Sequence, residues 1–300
     1  MIILVIILCV TVFAVLMQKI ELQRFRVVSY SVNNEKIAAR KKLAVFSDLH
    51  CHVFFPQNNR LINAVRRIEP DAILMSGDMI TARDVERFDR VLGLMRELIK
   101  IAPVYYSMGN HEDRIKKMFL FRDDDEPDEI YERRVKKMEL LHSFYEDYEN
   151  ALRKMGVRIL DNEYDEIGDD IRVYGLSIPL ECYKKRDDIP LPDGFIESVF
   201  GTPDEKRFNI MLAHEPRFAK RYAAWGAELT FSGHNHGGLV RIPGVGSVFG
   251  PRLERFPEYD MGEYDVDGKK LIVSAGLGVH SFKIRIFNRA QLLEVTLDGK

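Results

Sequence analysis

Short apolar runs alternate with segments of helical spacing along residues 40–110. The runs KLAVFSD, DAILMSGD and PVYYSMGN have strand length, and each ends in a polar turn. Between them, apolar residues recur every three or four positions, which predicts two amphipathic helices. Their apolar faces consist of Leu61, Val65 and Ile68 in the first helix, and of Val85, Phe88, Leu92, Met95 and Leu98 in the second. This alternation predicts an α/β domain with a parallel or mixed sheet.

The second half of the chain predicts more strands and fewer helices. One long amphipathic helix is expected within the charged stretch 112–155. Its apolar face consists of Tyr131, Val135, Met138, Leu141, Tyr145, Tyr148 and Leu152. Strand-like runs follow it: VRIL, IRVYGL, NIMLAH, ELTFSGHNH, KLIVSAGLG and QLLEVTL. About nine strands are too many for one simple doubly wound sheet, so two stacked sheets with helices outside them are predicted.

Residues 1–17, MIILVIILCVTVFAVLM, carry no charge and predict an N-terminal membrane anchor. A cleaved signal peptide is the alternative, but no basic region precedes the apolar run and no small-residue cleavage site follows it. Residues 18–39 are then a connector, and residues 40–300 form the folded domain. Basic residues that follow the anchor, among them Lys19, Arg24 and Arg26, favour the cytoplasmic side of the cell membrane for this domain.

Composition excludes several classes of function. The 44 Lys and Arg residues nearly balance the 46 Asp and Glu residues, so the overall charge does not indicate a nucleic-acid partner. Three cysteines do not make a disulfide framework. The chain has no Walker A motif, no dinucleotide fingerprint and no GxSxG elbow, which leaves ATP, NAD and serine-hydrolase chemistry without support.

Residues with metal-ligating side chains follow several of the predicted strands. They occur in the motifs SDLH, SGDM, GNHE, LAHEP and SGHNHGG, and comprise Asp48, His50, Asp78, Asn110, His111, His214, His234 and His236. Each motif alone is typical of an ordinary turn. Together they are expected to meet, because open α/β sheets bind ligands outside the carboxyl ends of their strands. Imidazole, carboxylate and amide ligands suit Mn, Fe, Co, Ni or Zn, and there are enough for two divalent ions.

The ordered motifs DLH, GD, GNHE, AHEP and GHNHGG resemble those of the calcineurin-like metallophosphoesterases over about residues 40–298. The apolar N-terminus and the tail GLGVHSFKIRIFNRAQLLEVTL resemble the YkuE-type membrane-associated branch of that family. The resemblance implies a four-layer α/β/β/α sandwich of two mixed sheets, preceded here by one membrane helix. It also implies a dinuclear metal site at the strand ends.

The resemblance implies a role for each candidate ligand. Asp48, His50 and His236 are assigned to one metal, Asn110, His214 and His234 to the other, and Asp78 to a bridging position. His111 is expected outside the direct cage, as the catalytic residue that contacts the phosphate or the leaving oxygen. Two positions depart from the family pattern: Thr81 stands where a second aspartate is frequent, and Leu239 stands where many relatives have glutamine.

These observations predict a metal-dependent phosphoric ester hydrolase in which a metal-bridging hydroxide attacks a phosphomonoester or phosphodiester. A lipid phosphoester is one candidate substrate, because an enzyme held at a bilayer meets lipid phosphates at high local concentration. Arg241, Arg252 and Arg255 are available to pair with a phosphate at the rim of the site. The alternatives are a membrane-tethered metal or phosphate binder without turnover, and a nuclease or nucleotide phosphodiesterase. The complete ligand set argues against the binder, and the lack of a basic, aromatic-rich stripe argues against the nuclease.

Overall fold

Two six-stranded mixed sheets form the centre of the protein in the computed structural model. The structure describes residues 2–82, 87–122, 125–184, 188–238, 241–242, 244–250, 255–279, 285 and 288–299. The side chains of residues 2–8, 10 and 14 are outside this description as well. The two mixed sheets agree with the architecture that the sequence predicts.

The first sheet combines the N-terminal half of the chain with its last strand. Its strand order is β1 (Phe25–Asn33), β14 (Ala290–Asp298), β2 (Lys41–Phe46), β3 (Ala72–Ser76), β4 (Val104–Ser107) and β5 (Arg158–Leu160). Strands β2 to β5 are parallel, whereas β14 runs antiparallel to β2 and parallel to β1. The carboxyl ends of β2, β3 and β4 therefore lie at one edge of this sheet.

The second sheet is built from the C-terminal half of the chain. Its strand order is β12 (Gly262–Val266), β13 (Lys269–Val273), β9 (Leu229–Ser232), β8 (Phe208–Ala213), β7 (Ile171–Leu176) and β6 (Glu163–Ile167). The two outer pairs are antiparallel, and the four inner strands are parallel. A separate short hairpin joins β10 (Arg241–Ile242) to β11 (Gly246–Ser247).

Helices cover the outer faces of both sheets. The first sheet packs against α2 (Asn59–Ile68), α3 (Phe88–Leu98), α4 (Asn110–Lys116) and α5 (Asp128–Met155). The second packs against α6 (Phe195–Phe200) and α7 (Ala219–Trp225), together with the 3₁₀ turn Leu180–Tyr183. A second 3₁₀ turn, Pro216–Phe218, precedes α7. The result is four layers in the order helix, sheet, sheet, helix.

Strand β2 illustrates why these apolar runs fold as strands that are buried on both faces. Leu43 and Val45 pack into the core between the two sheets, whereas Ala44 and Phe46 pack beneath the helices of the first sheet. Successive side chains of a strand point to opposite faces, so a strand covered on both sides needs apolar residues at every position. This explains the continuous apolar runs in the sequence.

The predicted amphipathic helices are present. Helix α5 buries Met138, Leu141, Tyr145, Tyr148 and Leu152, which belong to the apolar face expected within residues 112–155. The predicted faces of α2 and α3 are also buried, apart from Val85, which lies outside the described residues. These helices were predictable because an apolar stripe of period 3.6 needs a surface to pack on.

The N-terminal apolar segment forms α1 (Ile2–Leu22). Judged on the described residues, none of the helices combines the length and the apolarity that a membrane crossing requires. The end of α1 is tied to the body of the protein: Glu21 pairs with Arg289 at 2.7 Å, and the side chain of Gln23 bonds the backbone of Val53 and Phe55. The position of α1 is therefore coupled to the loop that follows β2.

The segment expected to be a connector, residues 18–39, contains strand β1. This strand pairs with β14 from Phe25 opposite Ala290 to Asn33 opposite Asp298. Its pattern does not predict a buried strand, because Val32 is the only residue of β1 that is fully buried. The first sheet consequently begins at Phe25 and not near residue 40.

Removal of β1 is expected to destabilise the protein far more than removal of the apolar N-terminus. A fragment of residues 35–300 should lose about 3–5 kcal/mol of unfolding free energy relative to a fragment of residues 19–300. The loss arises because Val32 is removed and β14 becomes an uncovered edge. Urea denaturation of the two fragments measures the difference, and equal midpoints would show that β1 does not contribute to stability.

Candidate metal centre

The eight candidate residues follow the carboxyl ends of five parallel strands. Asp48 and His50 follow β2, Asp78 follows β3, Asn110 and His111 begin α4 after β4, His214 follows β8, and His234 and His236 follow β9. The first sheet supplies five of these side chains and the second sheet three. The structure thus brings all eight to one edge of the sandwich.

Glycines in the motifs allow the turns to approach one another closely. A Cβ on Gly109 would collide with the carboxylate of Asp78, and a Cβ on Gly233 would collide with that of Asp48. Gly77 has a φ of +92°, and a Cβ there would lie 2.6 Å from the Cα of Gly109. The glycines of GD, GN and GH are therefore required for the backbones to meet.

Several candidate ligands adopt the left-handed backbone conformation, which is unfavourable for residues other than glycine. They are Asp48 (φ 49°), His50 (47°), Asp78 (58°), His234 (64°) and His236 (49°). Each such residue costs on the order of 1–3 kcal/mol, and this strain is typical of functional sites. The rest of the fold must stabilise these turns.

One cluster of possible ligand atoms consists of Asp48, His50 and His236. The Nε2 atoms of the two histidines are 3.1 Å apart, and Nε2 of His236 lies 3.4 Å from Oδ1 of Asp48. Nε2 of His50 is also 3.8 Å from Oδ2 of Asp78. Three atoms that can each donate an electron pair thus point to one position, as a cation requires.

A second cluster consists of Asp78, His214 and His234. Nε2 of His214 lies 3.1 Å from Oδ2 of Asp78, and Nδ1 of His234 lies 3.1 Å from Oδ1 of Asn110. The Nδ1 atom of His214 donates to the carbonyl of Ser76 at 2.7 Å, which directs Nε2 to the cluster. Nε2 of His234 is buried without a hydrogen bond. These features fit a bound metal ion. The two clusters are also close to each other, since Oδ2 of Asp78 lies 3.8 Å from Nε2 of His50 and Oδ1 of Asp48 lies 3.7 Å from Nε2 of His214.

The charges of the cluster are strongly interdependent. Burial opposes ionisation of Asp78, but His214 and His111 hold the pKa of this carboxyl well below its usual range. Burial also opposes protonation of His214, but Asp78 and Asp48 raise its pKa to about 10. Burial raises the pKa of Asp48, with a contribution from Asp78. Buried carboxylates of this kind need a positive partner, and a proton on His214 stands where a divalent cation would serve the same purpose.

His111 lies close to His50 and Asp78. One of its ring nitrogens is within 4.8 Å of ligand atoms of His50 and Asp78. Its backbone N–H donates to Oδ1 of Asp78 at 2.9 Å, and its Nδ1 accepts the backbone N–H of Ala82 at 3.0 Å. Because Nδ1 is an acceptor in this bond, the ring proton of neutral His111 resides on Nε2.

Glu112 is a structural residue of the site, and the sequence patterns did not predict its role. Its carboxylate accepts the backbone N–H groups of Asp78, Ile80 and Gly109 at 3.0–3.2 Å, and the hydroxyl of Tyr106 at 2.6 Å. Burial, together with the charge of Asp78, raises its pKa to about 7. Glu112 thereby connects the turn after β3 to the start of α4. Its place in GNHE was the only signal available in the sequence.

Two further side chains border the second cluster. Glu215 is buried, and its Oε2 lies 3.6 Å from Nε2 of His234. The ring of Tyr183 packs edge to face on His234, with 5.2 Å between centroids. The motif LAHEP contains Glu215, but Tyr183 belongs to no motif. Only the fold places this tyrosine beside the site.

The C-terminal segment supports the ligand turns from behind. The guanidinium of buried Arg285 donates to the carbonyls of Ala275 and Gly278, at 2.9 and 2.6 Å. The Gly278 N–H in turn donates to the Asp48 carbonyl. The side-chain amide of Asn288 donates to the carbonyl of His236 at 2.5 Å. This segment therefore fixes the backbone of one ligand from each sheet.

The other positions named from the sequence, the two departures from the family pattern and the three arginines, lie in different environments. Thr81 is buried, so no carboxylate stands at the position where relatives often have aspartate. Arg241 pairs with Asp260 at 2.7 Å, which already satisfies its charge. Arg255 is exposed, whereas Leu239 and Arg252 lie outside the described residues.

Comparison with known proteins agrees with this geometry. The family model described as calcineurin-like phosphoesterase matches residues 41–238. The uncharacterized metallophosphoesterase YkuE of Bacillus subtilis (strain 168) is 23% identical over 265 residues, which are 85% of this chain and 78% of that protein. An uncharacterized metallophosphoesterase of Aquifex aeolicus (strain VF5) is 25% identical over 280 residues, 92% of each chain.

Among solved structures, a 5'-nucleotidase precursor from Thermus thermophilus is 14% identical, with a TM-score of 0.43. The match covers 80% of this chain and 49% of that one. The family model spans all of the candidate metal ligands. This protein therefore belongs to the calcineurin-like phosphoesterase family.

Proposed function

We propose that the protein is a phosphoric ester hydrolase that uses two divalent metal ions. The observation that carries this proposal is the set of adjoining groups of possible ligand atoms, two of which include Asp78. Asp48, His50 and His236 would hold one ion, Asn110, His214 and His234 the other, and Asp78 both. The mixed nitrogen and oxygen donors suit Mn, Fe, Co, Ni or Zn. When bound, such ions supply a nucleophilic hydroxide at neutral pH and stabilise charge on the phosphoryl oxygens.

The hydrogen bonds of His111 favour one of its two expected roles. The amide of Ala82 donates to Nδ1, and a second proton on the ring would break that bond. Nε2 is then a fixed N–H donor. We therefore assign His111 a hydrogen bond to a non-bridging phosphoryl oxygen and not proton transfer to the leaving oxygen.

The proposed location is a membrane surface, with the apolar N-terminus as the anchor and the catalytic body on the cytoplasmic side. The uncharged stretch 1–17 supports this proposal, as do the exposed apolar side chains of Val12, Phe13, Val15, Leu16 and Met17 on α1. A lipid phosphoester would then be a favoured substrate, because the anchor raises its local concentration.

A metal or phosphate binder without turnover is the second candidate function, and activity assays distinguish the hydrolase from the binder.

Metal content tests whether both metal ions are bound by the carboxylate of Asp78. The wild-type protein should hold two divalent ions per chain, as measured by elemental analysis after loading and desalting. Asp78→Asn should lower the occupancy of both sites, whereas His236→Ala should chiefly empty one. His142→Ala on α5 is the matched control, because His142 lies outside the clusters. Full occupancy in Asp78→Asn would contradict the shared carboxylate.

Substitution of His111 tests its role as a hydrogen-bond donor. His111→Ala should lower kcat by roughly 10- to 100-fold, as expected for loss of a hydrogen bond to a charged group. The loss should be similar for substrates with good and poor leaving groups, because the bond is to a non-bridging oxygen. A series of aryl and alkyl phosphoesters measures this dependence. A loss that grows with the pKa of the leaving group would instead identify His111 as a general acid.

Vesicle flotation tests the proposed anchor. The full chain should float with vesicles of phosphatidylcholine and phosphatidylglycerol, because residues 1–17 bury apolar surface in the bilayer. The fragment of residues 19–300 should remain at the bottom of the gradient. A full-length double variant, Val12→Arg with Leu16→Arg, keeps the length of the N-terminal segment but lowers its apolarity. It should float less than the wild-type chain if the apolar surface is what binds the bilayer. Flotation of the 19–300 fragment would place membrane binding elsewhere in the protein.

A further inference from the structure

Arg114 is a shielded arginine on α4 whose charge is not neutralised by the protein. Its side chain is only partly exposed, and its Nε atom is buried without a hydrogen bond. Its side chain makes no hydrogen bond or ion pair with any residue in the described part of the chain. A guanidinium has five N–H donors and cannot give up its charge, so burial without an anion is unfavourable.

Other partly buried arginines among the described residues have polar partners. Arg134 binds the carboxylate of Glu126, Arg241 binds Asp260, and Arg285 donates to several backbone carbonyls. On α4 itself, the neighbouring carboxylates serve other groups. Glu112 accepts backbone amides, and Asp113 pairs with Lys117 at 2.9 Å. Arg114 therefore differs from arginines that have a structural role.

The position of Arg114 on α4 directs it to the metal centre. Arg114 is four residues after Asn110, so the two side chains share one face of the helix. Helical side chains lean towards the N-terminus, which for Arg114 is the direction of Asn110 and Asp78. Burial lowers the pKa of Arg114, and the Asp78 carboxylate opposes that shift. The guanidinium is therefore within electrostatic range of the site.

The guanidinium of Arg114 also packs on an aromatic ring. Its central carbon lies 5.7 Å from the ring centroid of Phe121. Phe121 contacts Phe119 edge to face at 4.8 Å, and Phe119 packs on the core cluster that includes Tyr183. Tyr183 in turn packs on His234. Arg114 is thus connected, through Phe121 and Phe119, to the same hydrophobic cluster that packs on the second ligand cluster.

We propose that Arg114 binds an anionic oxygen of the substrate's phosphoryl group and makes the site favour phosphomonoesters over phosphodiesters. This inference rests on the proposed hydrolase function. A phosphomonoester carries about −1.5 to −2 charges at pH 7 and has three acceptor oxygens. A diester has a single charge, because its second ester bond removes one of these oxygens. Guanidinium groups bind two oxygens of such an anion at once, so the more highly charged ester gains more.

The test compares two substrates with one leaving group, p-nitrophenyl phosphate and bis(p-nitrophenyl) phosphate, on the metal-loaded full chain. Arg114→Gln should lower kcat/KM for the monoester by about 10- to 100-fold, mainly through KM. The diester should change by no more than about 3-fold. Arg122→Gln is the matched control, because Arg122 is exposed and pairs with Asp128. It should leave both substrates unchanged.

Calorimetric titration with inorganic phosphate provides a measurement that does not depend on turnover. Arg114→Gln should weaken phosphate binding by about the same 10- to 100-fold factor. Arg114→Lys should bind phosphate more weakly than the wild type, because lysine cannot reproduce the bidentate geometry. If the glutamine variant does not fold, the lysine variant alone decides the question. Wild-type phosphate affinity in that variant would overturn the inference.

The outcomes separate this inference from the hydrolase proposal. Equal losses on the monoester and the diester would overturn the role of Arg114 in substrate choice. Unchanged phosphate affinity in Arg114→Gln would overturn it whether or not any phosphoester is hydrolysed. A wild-type protein that hydrolyses neither substrate, yet binds phosphate through Arg114, would contradict the hydrolase proposal and support the anion site.

Discussion

The buried carboxylate of Asp78 connects the parts of the site. Its backbone N–H is held by Glu112, its Oδ1 accepts the His111 N–H, and its Oδ2 faces His214 and His50. These contacts join the turn after β3 to helix α4 and to the second sheet. A buried carboxylate is tolerated only where positive or hydrogen-bonding partners surround it. The surrounding turns, with their left-handed residues and closely spaced glycines, provide these partners.

The two sheets give this arrangement its rigidity. Asp48 from the first sheet accepts the backbone N–H of His234 from the second sheet, at 3.1 Å. The carbonyl of Asp48 also accepts the N–H of Gly278, which Arg285 holds in place. Ligand turns from separate sheets are therefore bonded to each other as well as to their own strands. Such support allows the backbone strain at the turns to persist in the folded state.

Sequence patterns predicted those features that depend on local periodicity. The apolar face of α5 and the buried run of β2 were predictable because neighbours in sequence are neighbours on one face. Strand β1 was not, because it exposes most of its residues and pairs with a strand at the other end of the chain. The candidate metal ligands lie in short motifs, but Tyr183 and Asn288 reach the site only through long-range contacts. No local pattern contains that information.

The fold places both negative and positive side chains near the site. The site contains Asp48 and Asp78, whose charges match divalent cations, and Arg114 of α4 has a guanidinium without an ion-pair partner in the described part of the chain. If Arg114 stabilised the protein, it would be expected to bind a nearby carboxylate, yet Asp113 pairs with Lys117 and Glu112 holds backbone amides. The side chain of Arg114 thus forms no ion pair with these carboxylates in the described part of the chain. If the proposed functions of the site are correct, a bound phosphoryl group would be stabilised by metal ions at the carboxylates and by the guanidinium of Arg114, since each positive group stabilises negative charge on the phosphoryl oxygens.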